Sequence, residues 1–159
     1  MKQTKLFNEF NLRYPENFNV MSKEELKKHF IGRVERWGIK NSEQHLMFSV
    51  SRSKDMGRGL FSRITDSKSV ANGAGHQMKR TLLDYKRSYT INQTICGYKA
   101  CGFGFSFMPK DSDVRQTGEL IVFKRQNRYY AAVFQSPEET FHSVRGVLEG
   151  ILDSFELAA

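Results

Sequence analysis

The sequence predicts an α+β domain built on a largely antiparallel β-sheet flanked by helices. Three observations carry that expectation. Cys101-Gly102-Phe103-Gly104-Phe105-Ser106-Phe107 puts bulky residues at odd positions and Gly, Gly and Ser at even ones, the period of two that marks a strand. Two further extended segments, Glu119 to Lys124 and Tyr129 to Phe134, follow it, rich in β-branched and aromatic residues. A capped amphipathic helix then closes the chain. Runs of strands separated by single helices fit helices on an antiparallel sheet, whereas a doubly wound parallel fold needs strict βαβ alternation.

Taken in order, Phe10, Leu12 and Tyr14 alternate with Asn11 and Arg13, a short strand that stops at Pro15. Phe18-Asn19-Val20 begins another. Ser22-Lys23-Glu24-Glu25 has the form of a capping box and opens a brief helix through Phe30, ended by Gly32. Arg33 to Ile39 and Gln44 to Ser51 read as a hairpin around Asn41-Ser42. Periodicity dissolves from Ser53 to Thr65, a loop of a length that is often functional.

Asp66 or Ser67 caps the next helix, whose stripe is Val70, Ala74, Met78, Leu82 and Tyr85 and whose end falls near Arg87. Tyr89 to Ile95 reads as a strand leading to the Gly97 turn. In the Cys101–Phe107 strand the near-bald even face lets a helix or an aromatic ring approach the backbone. Arg125 to Arg128 joins the last two strands. Ser136-Pro137-Glu138-Glu139 then supplies an N-cap, a first-turn proline and a back-bonding glutamate. Phe141, Val144, Leu148, Ile151, Leu152 and Phe155 form the inward stripe of the last helix. Gly146 and Gly150 share one side of it, and close packing on the sheet would explain them.

At 159 residues the chain is expected to be a single domain, 1–159, with no need of a disulfide or metal staple. No apolar run approaches the roughly 20 residues that span a membrane, and the opening residues are no signal-peptide core. A cytoplasmic protein is therefore expected, or an exported one whose signal has been removed. Residues 1–128 carry twenty-four basic and twelve acidic side chains, whereas Tyr129 onward has one basic and five acidic. That asymmetry hints at an anionic partner, although an acidic solvated face on the last helix accounts for the second half of it.

This order of elements, with Phe10-Asn11-Leu12-Arg13-Tyr14-Pro15-Glu16-Asn17-Phe18 at its start and Ser154-Phe155 at its end, resembles the PsbP-like α/β sandwich. That fold is shared by the photosystem II PsbP protein, the Ran-binding Mog protein, DcrB-type lipoproteins and the effector-associated chaperones of type VI secretion. The resemblance covers nearly the whole chain as order and patterning. It implies a PsbP/Mog-like αβ sandwich that binds a protein or peptide and does no covalent chemistry.

The residues themselves carry no catalytic signature. There is no nucleophile elbow, phosphate loop or dinucleotide fingerprint. Cys96 and Cys101 lack paired histidines, so neither a metal nor any other cofactor is expected, and Cys101 reads as a small residue of the phenylalanine face. Adjacent Tyr129 and Tyr130 must point to opposite sides of a strand. The outward one, with Trp37, is the candidate contact for a protein or peptide partner. The alternative is a nucleic-acid or phosphate binder, with Arg52, Lys54, Arg58 and Arg63 on the long loop and Lys124, Arg125 and Arg128 at the hairpin tip. A solvated loop that merely keeps the protein soluble explains the same residues.

Overall fold

The computed structural model describes residues 1–30, 34–57 and 65–159. Among the described residues, ten strands form two sheets. The smaller contains β1 (Lys2–Leu6), β2 (Phe10–Tyr14) and β10 (Glu156–Leu157), in the order β1-β2-β10. The larger contains β3 (Asn19–Val20), β4 (Glu35–Asn41), β5 (Leu46–Arg52), β6 (Leu83–Ile95), β7 (Tyr98–Met108), β8 (Gln116–Arg125) and β9 (Arg128–Pro137). Its order is β3-β4-β5-β9-β8-β7-β6, and every pairing is antiparallel. Helix α1 (Lys23–His29) lies by β4, α2 (Ser67–Thr81) covers β6, β7 and β8 on one face, and α3 (Phe141–Asp153) packs against β9 and β2 on the other.

The sheet therefore separates two cores. On the α2 face Phe103, Phe105, Phe107, Leu120, Val122 and Tyr129 meet Ala71, Val70, Ala74 and Met78. On the α3 face Phe48, Ile121, Phe123, Tyr130 and Phe134 meet Phe10, Leu12, Val144, Leu148 and Ile151. Strand β8 is buried on both sides from Gly118 to Phe123, which is why it reads as an unbroken apolar run apart from Glu119.

Local chemistry explains most boundaries. Ser22 and Glu25 form the reciprocal capping box that opens α1. Asp66 accepts from the Ser69 N–H and caps α2. The β6–β7 turn is Cys96-Gly97, both at positive φ (52° and 82°), the backbone of a two-residue hairpin.

Three expectations are corrected. Helix α2 ends at Thr81, not near Arg87, because the extended run from Leu83 pairs with β7; Leu82 and Tyr85 still reach the α2 core from outside the helix. Ser136 is no cap: it sits buried in β9 opposite Thr117, a 3₁₀ turn (Glu138–Thr140) intervenes, and α3 starts without a side-chain cap. Gly146 and Gly150 face open space rather than the sheet, since a methyl at either would meet nothing within 4 Å. The hairpin expected at Arg125 to Arg128 is present, with Arg125 opposite Arg128 and Gln126-Asn127 as its loop. Gly32 and Arg33 lie outside the described residues, as does the loop from Arg58 to Ile64.

Candidate functional site

Two polar clusters stand at the sheet surface, at opposite ends of the α3 face. The first is centred on Glu119, whose side chain has no exposed surface. A carboxylate in a doubly covered strand must be paired. Arg145 of α3 supplies Nε at 2.6 Å and Nη2 at 3.2 Å, and the Tyr89 hydroxyl of β6 donates to the same carboxylate at 2.5 Å. Arg145 also pairs with Glu149 one turn on.

Tyr89 reaches Glu119 by lying across Gly104. A Cβ at position 104 would fall 2.6 Å from the tyrosine ring, so only glycine admits this pose. Burial first, and then the hydrogen bond to Glu119, push the Tyr89 phenol up to about 12. Tyr89 is nevertheless 46% exposed as a residue, and Arg145 keeps a third of its side chain in solvent. The result is a tyrosine and an arginine fixed from below and open above. Leu83 and Val114 are further apolar side chains exposed among the described residues. Nearby on the same face Arg115, the residue before β8, bonds Ser106 Oγ of β7 at 3.1 Å and the Asp84 carboxylate of β6.

The second cluster gathers part of the anticipated basic set. Glu9, in the β1–β2 turn, faces Arg52 Nη1 at 3.3 Å and Arg125 Nη1 at 3.6 Å, and accepts from the Tyr130 hydroxyl. Arg52 Nη2 also meets both Glu35 oxygens at 2.7 and 2.8 Å. Arg128 donates to the Ser53 carbonyl at 3.2 Å and stands 4.0 Å from Glu35. Beside them opens a shallow cleft of about 280 Å³ lined by Val34, Glu35, Arg52, Ser53, Lys54, Asp55 and Arg128. The carboxylates Glu9, Glu35 and Asp55 stand among these cations, and the Glu9 pairs with Arg52 and Arg125 fasten the small sheet to the large one.

The remaining candidates are dispersed. Lys124 points to the opposite face, its Nζ 5.5 Å from the Tyr129 ring centroid. Arg58 and Arg63 fall outside the described residues. The expected outward tyrosine does not occur: Tyr129 is buried in the α2 core with its hydroxyl on the Thr65 carbonyl, and Tyr130 is fully buried in the α3 core. Both sheet faces are covered at β9, so alternation sends the two rings into two interiors. Trp37 is half-buried, edge-on to Tyr14 at 5.7 Å. The half-buried Cys101 thiol is pushed up by burial, and Cys96 sits in the β6–β7 turn. Among the described residues, no three His, Cys, Asp or Glu side chains are grouped to hold an ion, and no helix is long and apolar enough to cross a membrane.

Sequence reasoning passed over Tyr89, Glu119 and Arg145. The signal was Glu119 itself, the one charge in a run of apolar residues whose central place in the sheet demands a buried partner.

No family model matches the chain, and no curated protein matches it. Solved structures do. The cyanobacterial PsbP protein CyanoP from Synechocystis sp. PCC 6803 superposes with a TM-score of 0.68 at 8% identity, over 99% of this chain and 92% of that one. The Saccharomyces cerevisiae Ran-binding protein Mog1p gives 0.63 at 10% identity, over 98% and 94%. LpqN, involved in cell envelope biogenesis of Mycobacterium tuberculosis, gives 0.59 at 13%, over 94% and 83%. The chain has the PsbP/Mog-like fold.

Proposed function

We propose that this PsbP/Mog-like domain is a protein-binding adaptor, which holds a polypeptide partner and performs no covalent chemistry on it. The observation that carries the reading is the Tyr89–Glu119–Arg145 cluster. Tyrosine and arginine are the side chains that most often dominate binding energy at protein interfaces. Here both are held in one pose before any partner arrives, so little side-chain entropy is lost on contact. The similarity to a Ran-binding protein supports the same reading.

The Arg52 cluster supports the phosphate reading less well, because its guanidinium groups already face carboxylates. Affinity capture from a lysate of the source organism, with mass spectrometry, tests the choice. A specific polypeptide is expected on the wild-type chain, retained at several hundred millimolar salt and lost with Tyr89→Ala or Arg145→Ala. Capture of nucleic acid that disappears with salt and with Arg52→Ala and Lys54→Ala would overturn the adaptor reading.

A further inference from the structure

Strand β6 forms one edge of the seven-stranded sheet and is thirteen residues long, about twice the usual strand. Its ladder bonds go to β7 alone, and among the described residues no backbone group from another element pairs with its outer side. Register shifts interrupt it between Leu83 and Lys86 and between Arg87 and Thr90. Such irregularities blunt an edge against unwanted pairing. From Thr90 to Ile95 the pairing is regular, residue for residue.

The turn fixes which groups face outward. In a two-residue hairpin the residues flanking the loop exchange both ladder bonds, so Ile95 bonds to Tyr98. Alternation then turns the N–H and C=O of Gln93 and Ile91 toward β7 and those of Thr94, Asn92 and Thr90 outward. The side chains of these three are exposed, and by register with Phe103 and Cys101 they lie on the sheet face that α2 covers.

Cations outnumber acids along this edge. Helix α2 contains Lys68, Lys79 and Arg80, all exposed, and no acidic residue. Lys99 is exposed opposite Thr94, and Lys86 and Arg87 are exposed on β6 itself. Of the acids close by, Asp84 is bound to Arg115 and Asp66 is occupied in capping α2.

We infer that the Thr90–Ile95 edge of β6 takes up an acidic peptide segment as an added strand, its carboxylates meeting the lysines and arginines of α2 and Lys99. This rests on the adaptor reading and names the partner's class. A peptide strand presents both donors and acceptors to the outward N–H and C=O groups, and alternate side chains turn toward the basic face. A DNA backbone offers acceptors only and leaves the outward carbonyls against phosphate.

Selection of binders from a random dodecapeptide library on the full chain tests it, followed by hydrogen exchange on the complex. Enriched peptides are expected to carry acidic residues at alternate positions and to slow exchange at Thr90, Asn92 and Thr94. Asn92→Pro removes one outward donor and no bond to β7, so affinity should fall about tenfold. Thr94→Pro provides a second check, and Lys68→Glu with Lys79→Glu should weaken binding while leaving the melting temperature unchanged. Enrichment of neutral or basic peptides, protection confined to the Tyr89–Arg145 surface, or no enrichment at all would overturn the inference. So would a dodecathymidylate that binds this edge in preference to the selected peptides. None of these results touches the adaptor reading so long as a captured partner still depends on Tyr89.

Discussion

Replacing Glu119 with alanine should destabilise the fold more than any other single change at the candidate site. The carboxylate is fully enclosed and accepts from two Arg145 nitrogens and from Tyr89. Removing one member of a buried pair ordinarily costs about 3–5 kcal/mol, because the other charge is stranded. Arg145 is a third exposed and keeps Glu149, so part of its charge is resolvated and the lower end applies. Loss of the Tyr89 hydrogen bond adds about 1 kcal/mol, and the total expected is about 3–4 kcal/mol. Urea unfolding followed by fluorescence and circular dichroism measures it as a lower midpoint with unchanged slope. Glu119→Gln keeps a hydrogen-bond acceptor and should lose less. A loss below about 1 kcal/mol for Glu119→Ala would refute the reasoning, since it would put the Arg145 and Tyr89 contacts within the range of ordinary surface pairs.

Gly146→Ala and Gly150→Ala should each stabilise by about 1 kcal/mol, seen as a rise of roughly 2–4 °C in Tm, because an added methyl meets nothing at either helical position. Gly104→Ala should act in the opposite sense, pushing the Tyr89 ring off its seat; the check is loss of partner binding together with a shifted Tyr89 ring signal in NMR. Tyr89 and Tyr130 both have phenols raised to about 12, by burial first and then by a glutamate acceptor. An unfolded tyrosine titrates near 10, so this stabilisation is complete below about pH 10 and is lost as pH climbs toward 12. Urea midpoints at pH 8 to 11 should fall at the alkaline end, and Tyr130→Phe should flatten that fall.

The fold was legible where local chemistry and periodicity agree. The Ser22 capping box, the Asp66 cap and the phenylalanine alternation from Phe103 to Phe107 each name their own structure, and the glycine face of that strand did admit an aromatic ring. Legibility failed where tertiary pairing overrode a local signal. Ser136-Pro137-Glu138-Glu139 spells a helix start, but the ladder between Ser136 and Thr117 holds the serine in β9. The stripe of α2 ran on into Tyr85 because a strand side chain entered the same core as the helix. Strand β1, pairing Lys2–Leu6 with β2, carried too little apolar patterning to announce itself. The site was hidden for a related reason. Which of two adjacent tyrosines faces solvent depends on whether one or both faces of β9 are covered, and that is decided by α2 and α3, many residues away.

The folded arrangement also gives the charge asymmetry of the sequence a direction. The acidic excess belongs to the segment that forms α3 and its flanks, and α2, which has cations alone, lies across the sheet from it. A linear imbalance that could have meant only an acidic solvated helix becomes a separation of unmatched charge between two faces, because Arg52, Arg125, Arg128 and Arg145 on the α3 face stand against carboxylates whereas α2 has no acidic residue of its own. Such a separation orients an approaching anionic chain before contact and falls off with salt, whereas the main-chain bonds available at Thr90, Asn92 and Thr94 are short-ranged and indifferent to it. Long-range attraction would choose the face, and strand pairing would then hold what arrives. An arrangement of that kind needs no cavity, which accords with a surface on which the described cleft is shallow and its two arginines, Arg52 and Arg128, already face carboxylates.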